Sequence, residues 1–401
     1  MKGIGERNNM EEWKEYKLGD VSSVSSSKRI FADEYQSEGI PFYRSKEIIE
    51  KQKGISIANE LYIKESRYNE IKNKFGVPQK GDILLTSVGT LGIPYLVKDE
   101  IFYFKDGNIT WFYNFKGINN RYLYYWFLSP IAKHYFDIKA IGSTQKALTI
   151  ETLKKFDIVL PSKSIQQKVA DVLKSFDDKI ELNNRINANL EEQAQALFRH
   201  WFVEFEFPNE QGLPYKSNGG KFVESELGKI PEGWKIGKLS ELIDLKYGKD
   251  HKKLANGNIP VYGSGGIMRY VSNALYSGES VLIPRKGSLN NVIYVNESFW
   301  SVDTMFYSIM KHQYIAKYIY LLLTSVDLVS MNSGSAVPSM TTKVLNNLII
   351  KIPQSELLKS FDSIISGYYS QIEKNKRENI SLSVLRDTLL PKLMSGELKI
   401  N

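Results

Sequence analysis

One stretch of this 401-residue chain recurs at a fixed offset of 192 residues, and no other feature constrains its fold as strongly. Gly142-Ser143 … Leu153 … Ile158-Val159-Leu160-Pro161 matches Gly334-Ser335 … Leu345 … Ile350-Lys351-Ile352-Pro353. The register holds without a gap downstream, where Ile180, Asn183, Arg185, Asn187, Leu190 and Leu197 fall on Ile372, Asn375, Arg377, Asn379, Leu382 and Leu389. The fronts of the two halves match in the same order with length changes. Trp13-Lys14 … Lys17-Leu18 resembles Trp234-Lys235 … Lys238-Leu239, and Ile40-Pro41 … Tyr43 … Ser45 resembles Ile259-Pro260 … Tyr262 … Ser264. Ile83-Leu84-Leu85 … Gly89-Thr90-Leu91 resembles Val281-Leu282-Ile283 … Gly287-Ser288-Leu289. Each half is therefore a variable domain followed by a constant tail, an arrangement that suits two readers on one frame.

The tails carry apolar positions spaced alternately by four and three, the signature of a heptad seam. In the first these are Val169, Leu173, Phe176, Ile180, Asn183, Asn187, Leu190, Ala194, Leu197 and Trp201. In the second they are Phe361, Ile365, Tyr368, Ile372, Asn375, Asn379, Leu382, Arg386, Leu389 and Leu393, with Pro391 expected to kink or end the helix. Antiparallel pairing about Arg185 and Arg377 sets Asn183 opposite Asn379 and Asn187 opposite Asn375. Buried amide pairs of this kind cost stability and pin register. Each seam of roughly 33 residues spans about 50 Å, enough to hold two domains on the order of one DNA turn apart.

The domains read as mixed α and β with short strands and many turns. Strands are expected at Ile83 to Thr86 and Ile101 to Phe104, and an aromatic-rich helix from Arg121 to Tyr135. In the second half strands are expected near Val281 to Ile283 and Val292 to Val295, and a helix near Ile315 to Thr324. The loops mix basic and amide side chains with glycine. In the first half they offer Arg44, Ser45, Lys46, Lys105, Asn108, Ser143, Thr144, Gln145 and Lys146; in the second, Tyr262, Ser264, Arg285, Lys286, Ser288, Asn290, Asn291 and Ser335. Arg and Lys suit phosphates or the guanine edge, Asn and Gln suit adenine, and glycine lets the backbone approach a duplex.

Lys plus Arg outnumber Asp plus Glu by 53 to 45, a net charge of +8 that favours a polyanionic partner. The absence of cysteine excludes disulfides, thiolate zinc sites and a cysteine nucleophile, and it fits a reducing cytoplasm. No apolar run approaches the ~20 residues of a membrane span, and no apolar core follows the basic N-terminus. Catalytic signatures are missing as well. Gly263-Ser264-Gly265-Gly266 lacks the last glycine of a dinucleotide fingerprint, and Gly219-Gly220-Lys221 is followed by Phe222 instead of Ser or Thr. The amino-methyltransferase run Asn/Asp-Pro-Pro-aromatic is absent, and His134, His200, His251 and His312 are scattered. Pro231-Glu232 before Asp244-Leu245-Lys246 is a degenerate match to metal-dependent nucleases.

Several segments carry a family resemblance together. They are Trp13 through Leu18-Gly19-Asp20; Leu160-Pro161 leading to Gln166-Gln167-Lys168-Val169-Ala170; Leu197-Phe198 … Trp201-Phe202; Tyr215-Lys216 … Gly219-Gly220; Ser225-Glu226-Leu227-Gly228 … Ile230-Pro231-Glu232-Gly233-Trp234; and the closing Leu389-Leu390-Pro391-Lys392-Leu393-Met394-Ser395-Gly396-Glu397-Leu398. In this order, on a duplicated frame, the chain resembles the specificity subunit of a type I restriction–modification system. The resemblance implies an α+β fold with two target-recognition domains, at 1–160 and 234–353, and spacer helices at 161–207 and 354–401. A connecting loop occupies 208–233. It implies that each domain reads half of a split double-stranded DNA target and that the helices set the gap and seat two methyltransferase subunits. A motor-nuclease subunit joins for cleavage. S-adenosylmethionine, ATP and Mg2+ then belong to those partners, and this chain is not itself an enzyme and binds no metal or cofactor. The alternatives are a standalone metal-dependent nuclease at Asp244 and Lys246, and a coiled-coil scaffold that binds no DNA.

Overall fold

The computed structural model of the chain describes residues 13–55, 57, 59–142, 146–331 and 339–400. It divides into two compact units, Met1–Leu182 with Glu378–Asn401, and Asn183–Arg377. The helices Lys163–Phe198 and Ser355–Ser395 each contribute residues to both units.

In the first unit the strands Lys14–Lys17 and Asp157–Leu160 pair antiparallel and bring the two ends of the domain together. One four-stranded sheet runs in the order Ser23–Ser25, Ile109–Tyr113, Ile83–Thr86, Pro94–Leu96. Ile83, Leu84 and Leu85 are all fully buried, so this strand is covered on both faces. A second sheet runs Tyr35–Gln36, Leu61–Ile63, Ile40–Tyr43, Tyr103–Phe104, and its last pair is parallel. The strand expected from Ile101 is confined to Tyr103–Phe104. The single aromatic helix expected over Arg121 to Tyr135 is two helices, Asn120–Leu128 and Pro130–Lys139. Ser129 breaks them because it is extended and its hydroxyl caps the next helix through the Ala132 amide, while Pro130 takes the first helical position, where no N–H is needed.

The second unit repeats this plan. Lys235–Lys238 pairs antiparallel with Ile349–Ile352. A six-stranded sheet follows in the order Ile243–Tyr247, Met305–Met310, Tyr276–Pro284, Ile293–Ser301, Asn256–Gly263, Gly266–Val271. The parallel contact recurs, with Val261 and Tyr262 beside Trp300 and Ser301. The expected helix is Ala316–Ser325. Thr149 and Thr341, 192 residues apart, each cap a five-residue helix. The segment 208–233 is a loop tied down by the two-residue strands Phe222–Val223 and Ile230–Pro231. Aromatics at its two ends anchor it: Phe207 stacks on both Tyr215 and Trp234, and Phe205 meets Trp234 edge-on.

The long helices pack antiparallel within each unit. In the first, Arg386 reaches Asp177 at 2.6 Å, and Val169 and Leu173 share a core with Leu390, Leu393 and Met394. In the second, Asn375 bonds Asn187, and Phe198, Trp201 and Phe202 close on Phe361. The buried stripe is broad where a helix lies on its domain and narrows near Asn183 and Asn375 to about one buried residue per turn. Arg386 and Ala194 occupy matching seam positions, and Asp177 and Tyr369, one residue past the seam positions Phe176 and Tyr368, also correspond. The first unit fills them with a charge pair, whereas Ala194 and Tyr369 share the apolar core of the second.

Pro391 does not end the C-terminal helix, which continues to Ser395. A proline this close to a C-terminus removes one hydrogen bond, and the burial of Leu390, Leu393 and Met394 holds the last turn. Gly396 stops it with φ of 75°, and the Trp13 ring covers the position a β-carbon would need.

Candidate nucleic-acid interface

The same backbone hydrogen bonds gather the polar loops in both units. In the first unit the Ser87 amide donates to the Asn108 carbonyl, the Leu148 amide to the Ser87 carbonyl, and the Lys105 amide to the Tyr43 carbonyl, each at 2.8 Å. In the second, Arg285 donates to Thr304 at 2.8 Å, Met340 to Arg285 at 2.8 Å and Val302 to Tyr262 at 3.0 Å. Isolated bridges pair Val88 with Ala147 and, equivalently, Lys286 with Ser339. Each unit thus joins its polar loops into one hydrogen-bonded cluster.

In the first unit this frame brings Arg44, Ser45, Lys46, Lys105, Asn108 and Lys146 together. Ser45 and Lys46 open the helix Ser45–Gln52, and the Ser45 hydroxyl donates to the Asn108 carbonyl at 3.5 Å. The Gly89 amide donates to the Lys146 carbonyl at 3.2 Å. A shallow groove of about 490 Å³ runs between Ser45, Lys46, Lys53 and Thr90. Arg44 is engaged elsewhere: its backbone and guanidinium both donate to the Glu47 carboxylate, at 2.9 and 2.6 Å. Burial pushes the Glu47 carboxyl up, but these bonds outweigh it and hold the group below its usual range, and Glu47 in turn raises Arg44. Ser143, Thr144 and Gln145 lie outside the described residues.

In the second unit Ser264, Arg285, Lys286, Ser288, Asn290 and Asn291 come together. The Asn291 side chain donates to the Ser264 carbonyl at 2.7 Å, and Gly287 sits so close to Ser264 that a β-carbon there would crowd its hydroxyl. The positive φ of Gly287, 86°, sets this turn. Lys286, Ser288, Asn290 and Asn291 are exposed. The Arg285 guanidinium donates to the Asp303 carbonyl at 3.0 Å and lies over the Tyr247 ring. Tyr262 is placed differently: it is buried, and its hydroxyl donates to Glu297 at 2.6 Å. Burial raises its pKa first and that hydrogen bond second. Ser335 lies outside the described residues.

Sequence reasoning missed a basic segment against the same frame. Lys249, Lys252 and Lys253 follow the strand Ile243–Tyr247, just as Lys28 and Arg29 follow Ser23–Ser25. The Lys249 amide donates to the Ser301 carbonyl at 2.8 Å, while the Lys28 amide meets the Tyr103 hydroxyl at 2.6 Å. The recurrence of basic residues at one place in both halves was the available signal.

Of the helix residues, Asn187 and Asn375 are directly hydrogen-bonded at 2.8 Å. Asn183 is buried and Asn379 half-buried. Asp244 pairs with Lys311 at 3.2 Å, and among the described residues no three His, Cys, Asp or Glu side chains cluster as metal ligands would. Among the described residues no helix is long and apolar enough to cross a membrane.

The family model for the type I restriction modification DNA specificity domain matches residues 10–192 and again 231–382, more than half of the chain. The chain is 27% identical to the type I restriction enzyme MjaIX specificity subunit of Methanocaldococcus jannaschii, over 97% of this chain and 94% of that one. It is 23% identical to the HindI specificity subunit of Haemophilus influenzae, over 97% of this chain and 100% of that one. Its fold matches the crystal structure of the type I restriction–modification S subunit from M. genitalium with a TM-score of 0.58 at 18% identity, covering 97% of each chain.

Proposed function

The chain belongs to the family of type I restriction–modification DNA specificity proteins, and from that membership we propose that its two units are the recognition domains of a specificity subunit. Each reads one half of a split DNA target. The duplicated loop frame carries this reading: Ser87 to Asn108 and Arg285 to Thr304 are the same bond in two domains whose exposed side chains differ. A constant backbone with variable loop residues allows two independent sequence choices.

The polar loops around Ser45, Lys46, Lys105, Asn108 and Lys146, and around Ser264, Arg285, Lys286, Ser288, Asn290 and Asn291, are the DNA-facing surface. Ser143, Thr144, Gln145 and Ser335 belong to the same loops in sequence. The paired long helices set the gap between half-sites and seat two methyltransferase subunits. Methylation, translocation and cleavage, with S-adenosylmethionine, ATP and Mg2+, are the work of those partners and of a motor-nuclease subunit. The chain itself contributes recognition in the cytosol. The family match over both halves supports neither the nuclease nor the scaffold alternative.

Expression with the methyltransferase partner tests this reading. Exchange of loop 285–291 for that of a relative with another target should change one half of the methylated motif and leave the other intact. A motif changed in both halves, or in neither, refutes the assignment.

A further inference from the structure

The two units share a backbone frame but differ in the charge they leave free. In the first, three cations of the frame are paired within the chain, while Lys105 and Lys146 make no ion pair among the described residues. Arg29 pairs with Asp106 at 2.9 Å, Arg44 with Glu47 at 2.6 Å and Lys46 with Glu50 at 3.7 Å. Lys28 lies over the Phe75 ring at 4.4 Å. In the second, Lys249, Lys252, Lys253 and Lys286 are all exposed, and among the described residues none of them makes an ion pair.

The segment that carries three of these lysines is held at both ends. The Trp300 indole donates to the Lys249 carbonyl at 2.8 Å, and the Arg269 guanidinium donates to the Leu254 carbonyl at 2.8 Å. Between them the His251 carbonyl accepts from the Leu254 amide, and the Asp250 carboxylate turns back onto the Lys252 amide at 3.1 Å. Little backbone order remains to be lost on binding. Lysine is a compact, strongly hydrated charge without the planar fork that reads a base edge, so a lysine cluster suits phosphate. The Lys286 amide donates to the Thr304 carbonyl at 3.3 Å, three residues along the chain from the Ser301 carbonyl that receives Lys249.

We propose that Lys249, Lys252, Lys253 and Lys286 bind DNA phosphates and make the second unit the stronger electrostatic anchor of the chain, leaving base choice to Arg285, Ser288, Asn290 and Asn291. The inference rests on the DNA-reading function above and adds a division of labour to it. Each phosphate contact releases counterions and contributes about 0.9 to the slope of log affinity against log salt concentration.

The test uses the full chain with its methyltransferase partner, a duplex carrying the methylated motif and a scrambled duplex, titrated over a salt series. Lys252→Gln with Lys253→Gln should lower the slope by about 2, and by the same amount on both duplexes. Lys252→Arg with Lys253→Arg should restore it, and Arg29→Gln in the first unit should change it by less than about half a contact. An unchanged slope, or a loss confined to the motif duplex, overturns the phosphate assignment while the DNA-reading function stands. An equal loss from Arg29→Gln overturns the asymmetry. A wild-type complex that binds neither duplex overturns both the inference and the function beneath it.

Discussion

Asn375 donates its side-chain amide to the side-chain oxygen of Asn187 at 2.8 Å, from one long helix to the other, and its own oxygen accepts from Gln371 at 2.7 Å. Both asparagines are buried. An amide in an apolar seam is satisfied only when the facing residue is in register, so this bond fixes one alignment of the two helices and penalises sliding.

Asn187→Ala should destabilise the protein by about 2 kcal/mol, because it leaves the Asn375 amide buried without its acceptor. The double variant Asn187→Leu with Asn375→Leu should cost little or be stabilising, since it removes both polar groups from the seam. Urea unfolding of the three proteins checks this, and equal losses in the single and double variants would contradict it.

Lys317 is buried against Glu279 at 2.7 Å and Asp362 at 3.0 Å, joining the helix Ala316–Ser325 to the sheet and to the C-terminal helix. Lys317→Met should cost about 3 kcal/mol, as both carboxylates lose their cation. Burial pushes Glu279 up, but bonds from Lys317 and the Tyr294 hydroxyl prevail and leave its carboxyl below the ordinary value. A carboxyl depressed on folding stabilises above its unfolded pKa, about 4.3, and loses that contribution as pH falls through the folded value. Urea midpoints should therefore fall more steeply below about pH 4.3 in the wild type than in Glu279→Gln.

Adding seven residues to both helices, after Arg185 and after Arg377, lengthens each by about 10 Å. The preferred gap between half-sites should grow by about three base pairs at 3.4 Å per step. Methylation mapping of the variant reads the gap directly, and an unchanged gap would refute the spacer role.

Asn290→Ala should relax one position of one half-site, with about 1–3 kcal/mol less discrimination there, and leave the salt dependence nearly unchanged. Competition binding with single-base variants of the motif measures this. Uniform weakening on all sequences would instead class Asn290 with the phosphate contacts.

The duplication and the seam were legible in the sequence because both are periodic. The duplication reappears as matched bonds at the two domain bases, Leu18 to Phe156 and Leu239 to Leu348, whose acceptors keep the 192-residue offset while the donors, in the divergent fronts, do not. Local chemistry that depends on tertiary neighbours was not legible. Tyr262 sits in a Gly- and Ser-rich stretch that reads as a loop, yet it is buried because the parallel pairing with Trp300 and Ser301 turns it inward. Arg44 reads as a free cation until Glu47, one helical turn away, claims it. Pro391 reads as a kink or an end, and the helix runs on past it to Ser395 with Leu390 and Leu393 buried around it. The lysines at 249–253 went unread because a charged run is ordinarily a solvated surface, and only the bond from the Lys249 amide to Ser301, beside that from the Lys28 amide to Tyr103, gives it a place.

Methylation mapping of DNA from cells that express this chain with its methyltransferase partner is the most direct test of the bipartite reading. The predicted result is a split motif with a methylated adenine in each half, one half altered by substitutions at Arg285 and Asn290 and the other by substitutions at Lys105 and Asn108. A single uninterrupted motif, or no methylation while the partner is present and active, would contradict it.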